Sequence, residues 1–379
     1  MSNSLTHKLQ QKLAEREAHG NLRQLKTTAG LIDFCSNDYL GLARSEKLRA
    51  LIHEYEDKYK YMPMGATGSR LLSGNHTLFE ELEATIAQYH HGETALLFNS
   101  GYAANVGLLS ALPQRGDTIF YDEAIHASIK DGMRLSFAKS YSFKHNNLED
   151  LRRKLNHATG SVFVVVESVY SMDGDKAPLM ELVQLCEELS IALIVDEAHA
   201  VGLYGPKGEG LTVALGLEDK VFAQVITYGK AMGSHGAAVV GPKVLSDYLI
   251  NFSRAFIYTT GLPTHALITL QCAYKLLPEL EIERQHVKAL ASRLLEQLNK
   301  VKGIRCAPDE SVILSVFLEQ GDVKKLKELA FYLQQNGFDV RPVLSPTVPQ
   351  GQERLRVIVH AYNTEEEIEG LVQAIAKGT

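Results

Sequence analysis

The chain has 379 residues, 45% of them hydrophobic and 22% charged, with a formal net charge of −6. That is the composition of a soluble globular protein with ample core, and with no basic stripe it argues against a nucleic-acid surface. The opening MSNSLTHKLQ lacks the apolar core of a signal peptide, runs such as VFVVV are too short to span a membrane, and the four cysteines stand far apart with no metal-ligand spacing. The expectation is therefore a cytoplasmic protein with reduced thiols and no membrane partner.

Residues 4–19 read as a polar helix, and LIDFCSNDYLGLA (31–43) as a short strand followed by a turn-rich segment. Residues 1–45 are thus expected to form a helix and a linking segment. From 46 to 260, apolar strand candidates alternate with helical stretches. The strands are ALLFN (95–99), TIFY (118–121), SVFVVVE (161–167), IALIVD (191–196), VFAQVIT (221–227) and AAVVG (237–241). LEDLRRKLNH and LMELVQLCEEL carry helical spacing between them. Continuous apolar strands alternating with helices predict an α/β domain with a mostly parallel sheet covered on both faces. A long helical stretch, about 264–300, follows. VILSVFL (312–318), a helix stopped at Gly337, DVRPVL, RLRVIVH and a closing helix then predict a smaller α+β domain over 261–379. Thr364 to Glu367 has capping-box spacing at the start of that last helix.

Ligands of open parallel sheets gather beyond the carboxyl ends of the strands. IALIVDEAHAVGLYG puts Asp196 at such an end and His199 three residues later; VFAQVITYGK does the same with Thr227 and Lys230. VDEAH also matches the Mg²⁺ box of DEAH-type helicases. That box needs an upstream G-x-x-x-x-G-K-[ST] loop, and TYGKAMG has Gln224 in place of the first glycine and Ala231 in place of Ser or Thr. A lysine among small residues is open to an aldehyde, and its amine becomes nucleophilic when desolvation lowers its pKa. A buried carboxylate can hold a pyridinium N–H, so Asp196 and Lys230 suit the two ends of pyridoxal phosphate. On spacing alone, an ion pair between them or a surface lysine in a glycine turn is an equal alternative. LLFNSGYAANVG places Ser100, Gly101 and Tyr102 where a strand passes into a helix, and backbone N–H groups there suit a phosphate. DEAIHASIKDG sets His126 just past a strand, and ESVYSMDGDKAPL ends a strand at Glu167 with Ser171 in the turn beyond.

Together these segments resemble the α-oxoamine synthase family of pyridoxal-phosphate enzymes, whose fold is the aspartate-aminotransferase-like fold type I. The resemblance runs from SNDYLGLA to PTVPQGQERLR through GATGSRLLSGNHTLFEELE, DEAIHASIKDGMRLS, SVYSMDGDKAPL, VDEAHAVGLYG and TYGKAMG. GSRLLSGNH and SPTVPQGQERLR resemble the biotin-pathway branch most. Thr67 stands where that branch usually has glycine, and VIVHAYN replaces its commoner small-residue ending.

The resemblance implies decarboxylative condensation of L-alanine with a pimeloyl thioester, of coenzyme A or a carrier protein, to 8-amino-7-oxononanoate. Branches using glycine or serine, and an inactive scaffold, are its alternatives. It implies that Lys230 forms the internal aldimine and removes the Cα proton, that Asp196 pairs with the pyridine nitrogen, that His199 bonds the phenolic oxygen and that His126 stacks on the ring. It gives the phosphate to Gly101, Tyr102 and Thr227, and a bond near the ring oxygen to Ser171. Asn37 and Arg356 would bind the amino-acid carboxylate, and Arg23 and Thr347 would line the acyl-donor side. A homodimer is implied as well, with Thr259 or Thr260 of FIYTTGLP reaching the neighbouring subunit's phosphate.

Overall fold

The structure is a computed structural model and describes residues 2–25, 27, 30–307, 311–320 and 322–379. Its strands begin with β1 (Ile32–Asp33), followed by β2 (Thr94–Phe98), β3 (Thr118–Asp122), β4 (Lys139–Phe143), β5 (Val162–Glu167), β6 (Ala192–Asp196), β7 (Ala223–Thr227) and β8 (Ala237–Gly241). Among the described residues, β2 to β8 form one seven-stranded sheet in the order β2-β8-β7-β6-β5-β3-β4. Every neighbouring pair from β7 to β4 is parallel. The exception is β8, which runs antiparallel to both β2 and β7.

The apolar runs are continuous because both faces of the sheet are covered. Successive side chains of a strand point to opposite faces. Leu96 and Phe98 accordingly join one buried cluster, with Leu108 and Ile129 of the covering helices, while Leu97 joins the other. Val225 and Ile226 divide in the same way, as do Val239 and Val240. The second cluster continues without a break into residues 262–375, so the sheet and the C-terminal part share one core.

Strands β9 (Ile304–Cys306), β10 (Ile313–Leu318), β12 (Arg341–Val343) and β13 (Arg354–Ile358) make a four-stranded antiparallel sheet in the order β12-β13-β10-β9. β11 (Phe338–Asp339) leaves that sheet and pairs in parallel with β1. The long helical stretch is broken into helices Thr264–Leu276 and Glu281–Leu298 by a short 3₁₀ turn, Leu277–Glu279, that contains Pro278. A proline inside a helix removes an N–H donor and crowds the preceding turn. The last helix, Glu365–Gly378, has its capping box formed between Thr364 and Glu367.

Candidate active site

Glu167, Asp196 and Thr227 end the parallel strands β5, β6 and β7, side by side at the carboxyl edge of the sheet. A cavity of about 220 Å³ opens there. Thr227, Lys230, Asp196 and His199 line it from the β6 and β7 ends, Gly101, Tyr102 and His126 from the β2 and β3 side, and Asn37 from the loop after β1. Residues from Asn37 to Lys230 are thus gathered in one place.

Lys230 Nζ donates to Thr227 Oγ1 at 3.3 Å; among the described residues no ion pair joins it to Asp196. Burial lowers the Lys230 amine below its ordinary pKa and the Arg356 charge adds to this, while Asp196 and Glu167 act in the opposite direction. Asp196 is buried, its Oδ1 accepting the Ala198 N–H at 2.9 Å and its Oδ2 the Asn105 amide at 2.8 Å. That amide also donates to Ser128 Oγ at 3.0 Å, and Ser128 Oγ lies 2.8 Å from His126 Nδ1. The Ser128 N–H donates to the same Nδ1 at 3.2 Å, so the His126 ring proton sits on Nε2. Burial lowers the His126 pKa, with Lys230 adding to the shift and Asp196 opposing it. His199 is driven well below the usual imidazole value by burial, then by the Lys230, Arg356 and His126 charges.

Gly101 opens the helix Gly101–Ala111, whose N-cap Ser100 accepts the Ala103 N–H. The first N–H groups of a helix have no partner inside it and favour an anion. A Cβ on Gly101 would come 2.6 Å from the Thr227 side chain, so only glycine fits this corner. An anion cradle, a buried carboxylate and a lysine of lowered pKa around one small cavity are the donor set that pyridoxal phosphate needs. The residues fit the cofactor.

Arg356, on β13, reaches the same region from the C-terminal sheet. Its Nε donates to the Ser171 carbonyl at 2.7 Å and its NH2 to Asn37 Oδ1 at 3.0 Å. Asn37 is brought there by bonds between the two segments, Ile358 N–H to Phe34 O at 2.9 Å and Ala361 N–H to Tyr39 O at 2.8 Å. Arg356 also lines a second cavity, of about 360 Å³, together with Arg23 and Thr347; those two are joined at 3.3 Å. Ser171 is placed otherwise than a side-chain ligand would be: it contributes its backbone to Arg356 and Glu167. Thr259 and Thr260 lie outside the cavity lining, bound to the Asn99 amide at 3.0 and 2.7 Å. Tyr102 lines the cavity but sends its hydroxyl to Asp131 at 2.5 Å.

Reading the sequence missed five groups. Glu167, Asn105, Ser128 and His235 line the same cavity. The buried Tyr39 sets its hydroxyl between His199 Nδ1 at 2.6 Å and Asn37 Oδ1 at 3.1 Å. The one available signal was Glu167 at a strand end; the others are recognised only by what they touch.

A fold type I transferase with a lysine–carboxylate cofactor pocket is the class that this fold and site define. Residues 29–375 match the model of the family "Aminotransferase class I and II". The 8-amino-7-oxononanoate synthase of Emericella nidulans is 42% identical over 366 residues, covering 91% of this chain and 88% of that protein. Among solved structures, the 8-amino-7-oxononanoate synthase of Francisella tularensis is similar with a TM-score of 0.78 and 30% identity, covering 92% of this chain and 97% of that one. A serine palmitoyltransferase variant of S. paucimobilis, with a bound PLP–myriocin aldimine, is similar with a TM-score of 0.88 and 28% identity, covering 99% of this chain and 97% of that one. The chain belongs to the aminotransferase class I and II family, and within it to the α-oxoamine synthases, pyridoxal-phosphate-dependent acyltransferases.

Proposed function

We propose that this enzyme condenses L-alanine with a pimeloyl thioester, of coenzyme A or a carrier protein, to give 8-amino-7-oxononanoate, CO₂ and the free thiol, a step of biotin synthesis. The observation that carries this reading is Arg356. It lines the larger cavity while holding Asn37, which lines the smaller one, so two substrate spaces meet at one guanidinium. A guanidinium fork grips a carboxylate bidentately. Arg356 and Asn37 therefore take the amino-acid carboxylate, and Arg23 and Thr347 line the space for the acyl donor. The relatives' names supply the product, 8-amino-7-oxononanoate; alanine and a pimeloyl thioester are the substrates that the family resemblance implies.

Bound pyridoxal phosphate supplies an electron sink for the amino acid's α-carbon. Gly101, Tyr102 and Thr227 would hold its phosphate, Asp196 its ring nitrogen and His199 its phenolic oxygen; His126 would lie against the ring, and Ser171, whose backbone is engaged by Arg356 and Glu167, would stand near the ring oxygen. Lys230 anchors it, then removes and later returns the proton at Cα; its lowered pKa keeps a larger share of the amine neutral and able to do so. Overall, a bond forms between Cα and the thioester carbonyl carbon, the thiol leaves, and the bond from Cα to the carboxylate breaks as CO₂. The enzyme acts as a homodimer in the cytoplasm, with Thr259 or Thr260 near the partner's cofactor site.

The serine palmitoyltransferase likeness keeps serine as a competing substrate, and one methyl group is worth only about 1–3 kcal/mol of discrimination. Alanine, glycine and serine offered against a panel of acyl thioesters, with the ketone identified by mass spectrometry, test the reading. Highest kcat/KM for alanine with the pimeloyl thioester is expected. A higher value for glycine or serine with another acyl chain would move the enzyme to a different branch.

A further inference from the structure

Glu167 is a buried carboxyl group on the wall of the small cavity, and the proposed chemistry does not use it. Its Oε1 accepts the backbone N–H of His126 at 2.5 Å, and its Oε2 the backbone N–H of Ser171 at 3.3 Å. Those two residues belong to separate loops, one after β3 and one after β5. Each loop ends at a different part of the site: His126 presents its ring to the cavity, and the Ser171 carbonyl accepts from Arg356. A single carboxyl group therefore ties the ring-facing arm to the carboxylate-gripping arm.

We propose that Glu167 is a positioning residue that registers His126 and Arg356 against each other, so that the amino-acid carboxylate is held square to the face covered by His126. The inference rests on Arg356 binding that carboxylate. The tie depends on pH as well. Burial, then the charge of Asp196 on the adjacent strand, pushes the Glu167 carboxyl up to about 8, against the His126 and Ser171 N–H groups and the Lys230 charge. Near neutrality Glu167 thus holds a proton, and its loss through that range places a second negative charge beside Asp196.

Three variants of the holoenzyme test this. In Glu167→Ala both bonds are lost. The KM for the amino acid should rise by about tenfold, the scale of one such bond, with the thioester KM within about twofold of wild type. Amide hydrogen exchange should accelerate at both His126 and Ser171. Glu167→Gln keeps only one acceptor oxygen, so it should free one of the two amides to exchange, raise the amino-acid KM less than Glu167→Ala does, and lose the change in amino-acid KM near pH 8. Arg356→Ala should raise the amino-acid KM and leave the two amides protected. Equal rises in both KM values in Glu167→Ala, or unchanged exchange at either amide in Glu167→Ala, would overturn the positioning role. An unchanged amino-acid KM in Arg356→Ala would instead overturn the carboxylate assignment, while the exchange result would still report on the tie.

Discussion

Lys230 owes its chemistry to what surrounds it: Thr227 at 3.3 Å, small residues in TYGKAMG, and burial that lowers its pKa. Lys230→Ala should keep the fold by circular dichroism and lose turnover by at least about a hundredfold, the usual scale for a proton-transfer group. Borohydride reduction and peptide mapping of the wild type should put the cofactor on Lys230; label on another lysine would refute the assignment. Gly101 is a second test at this scale, since its missing Cβ leaves the room beside Thr227. Gly101→Ala should weaken cofactor binding tenfold or more when apoprotein is titrated with pyridoxal phosphate, a loss of about 1.4 kcal/mol. Unchanged affinity would remove this corner as the phosphate seat. Thr67 has a structural reading too. Its φ is 49°, a left-handed conformation that costs a side-chain-bearing residue about 1–2 kcal/mol and that glycine adopts freely. Part of the relief returns as unfolded-state entropy, about 0.4–1 kcal/mol. Thr67→Gly should therefore stabilise modestly in urea unfolding. A clear loss would mean that the threonine side chain makes contacts worth more than the strain.

The strands that carry the site were legible because burial on both faces leaves them continuously apolar, so their ends, and with them Asp196, Thr227 and Lys230, could be placed. β4 escaped because KSYSF is a polar edge strand, exposed at its start. β8 reads like its parallel neighbours, since an apolar run carries no direction; only the pairing shows it antiparallel. Contacts set by sheet register were not legible at all, and His145 shows why. It bridges Asp122 at the end of β3, at 2.9 Å, and Asp175 in the turn after β5, at 2.6 Å. Nothing in the chain order joins those three residues. Burial alone would lower the His145 pKa, but the hydrogen bonds and charges of the two carboxylates outweigh it and raise the value to about 10. A raised folded-state pKa stabilises fully below the unfolded value, near 6.5, and the contribution is lost as pH rises towards 10. The urea midpoint should therefore fall between pH 6.5 and 10 more steeply in wild type than in His145→Gln. Parallel profiles for the two proteins would show that the bridge contributes no proton-linked stability.

At the scale of the whole molecule, the two halves of the chain share a core, and the two cavities proposed for the substrates lie where β13 meets the end of the large sheet. No helix among the described residues is long and apolar enough to cross a membrane. Large apolar side chains nonetheless stand in solvent on one region: Tyr61 and Met64 are each 91% exposed, Leu72 is 86% and Tyr258 is 72%. The two segments that carry them are joined, with the Gly261 N–H donating to Gly68 O at 3.0 Å. Exposed apolar patches of this kind mark interaction sites. Thr259 and Thr260 belong to the same region and are bound by Asn99, which directly precedes Ser100 and the phosphate cradle. A second copy docked here would lie close to both cofactor sites, which is the arrangement proposed for the homodimer. Met64→Glu combined with Leu72→Glu would put two charges into that contact without touching the cavity lining. Sedimentation at micromolar concentration should show a dimer for wild type and a monomer for the double variant, with native circular dichroism in both. Activity should fall by more than about tenfold in the monomer, since each site would lack its neighbour's threonine; loss of one hydrogen bond to a charged group is worth about 1.5–3 kcal/mol. A monomeric wild type, or a double variant that stays dimeric, would place the subunit contact elsewhere or remove it.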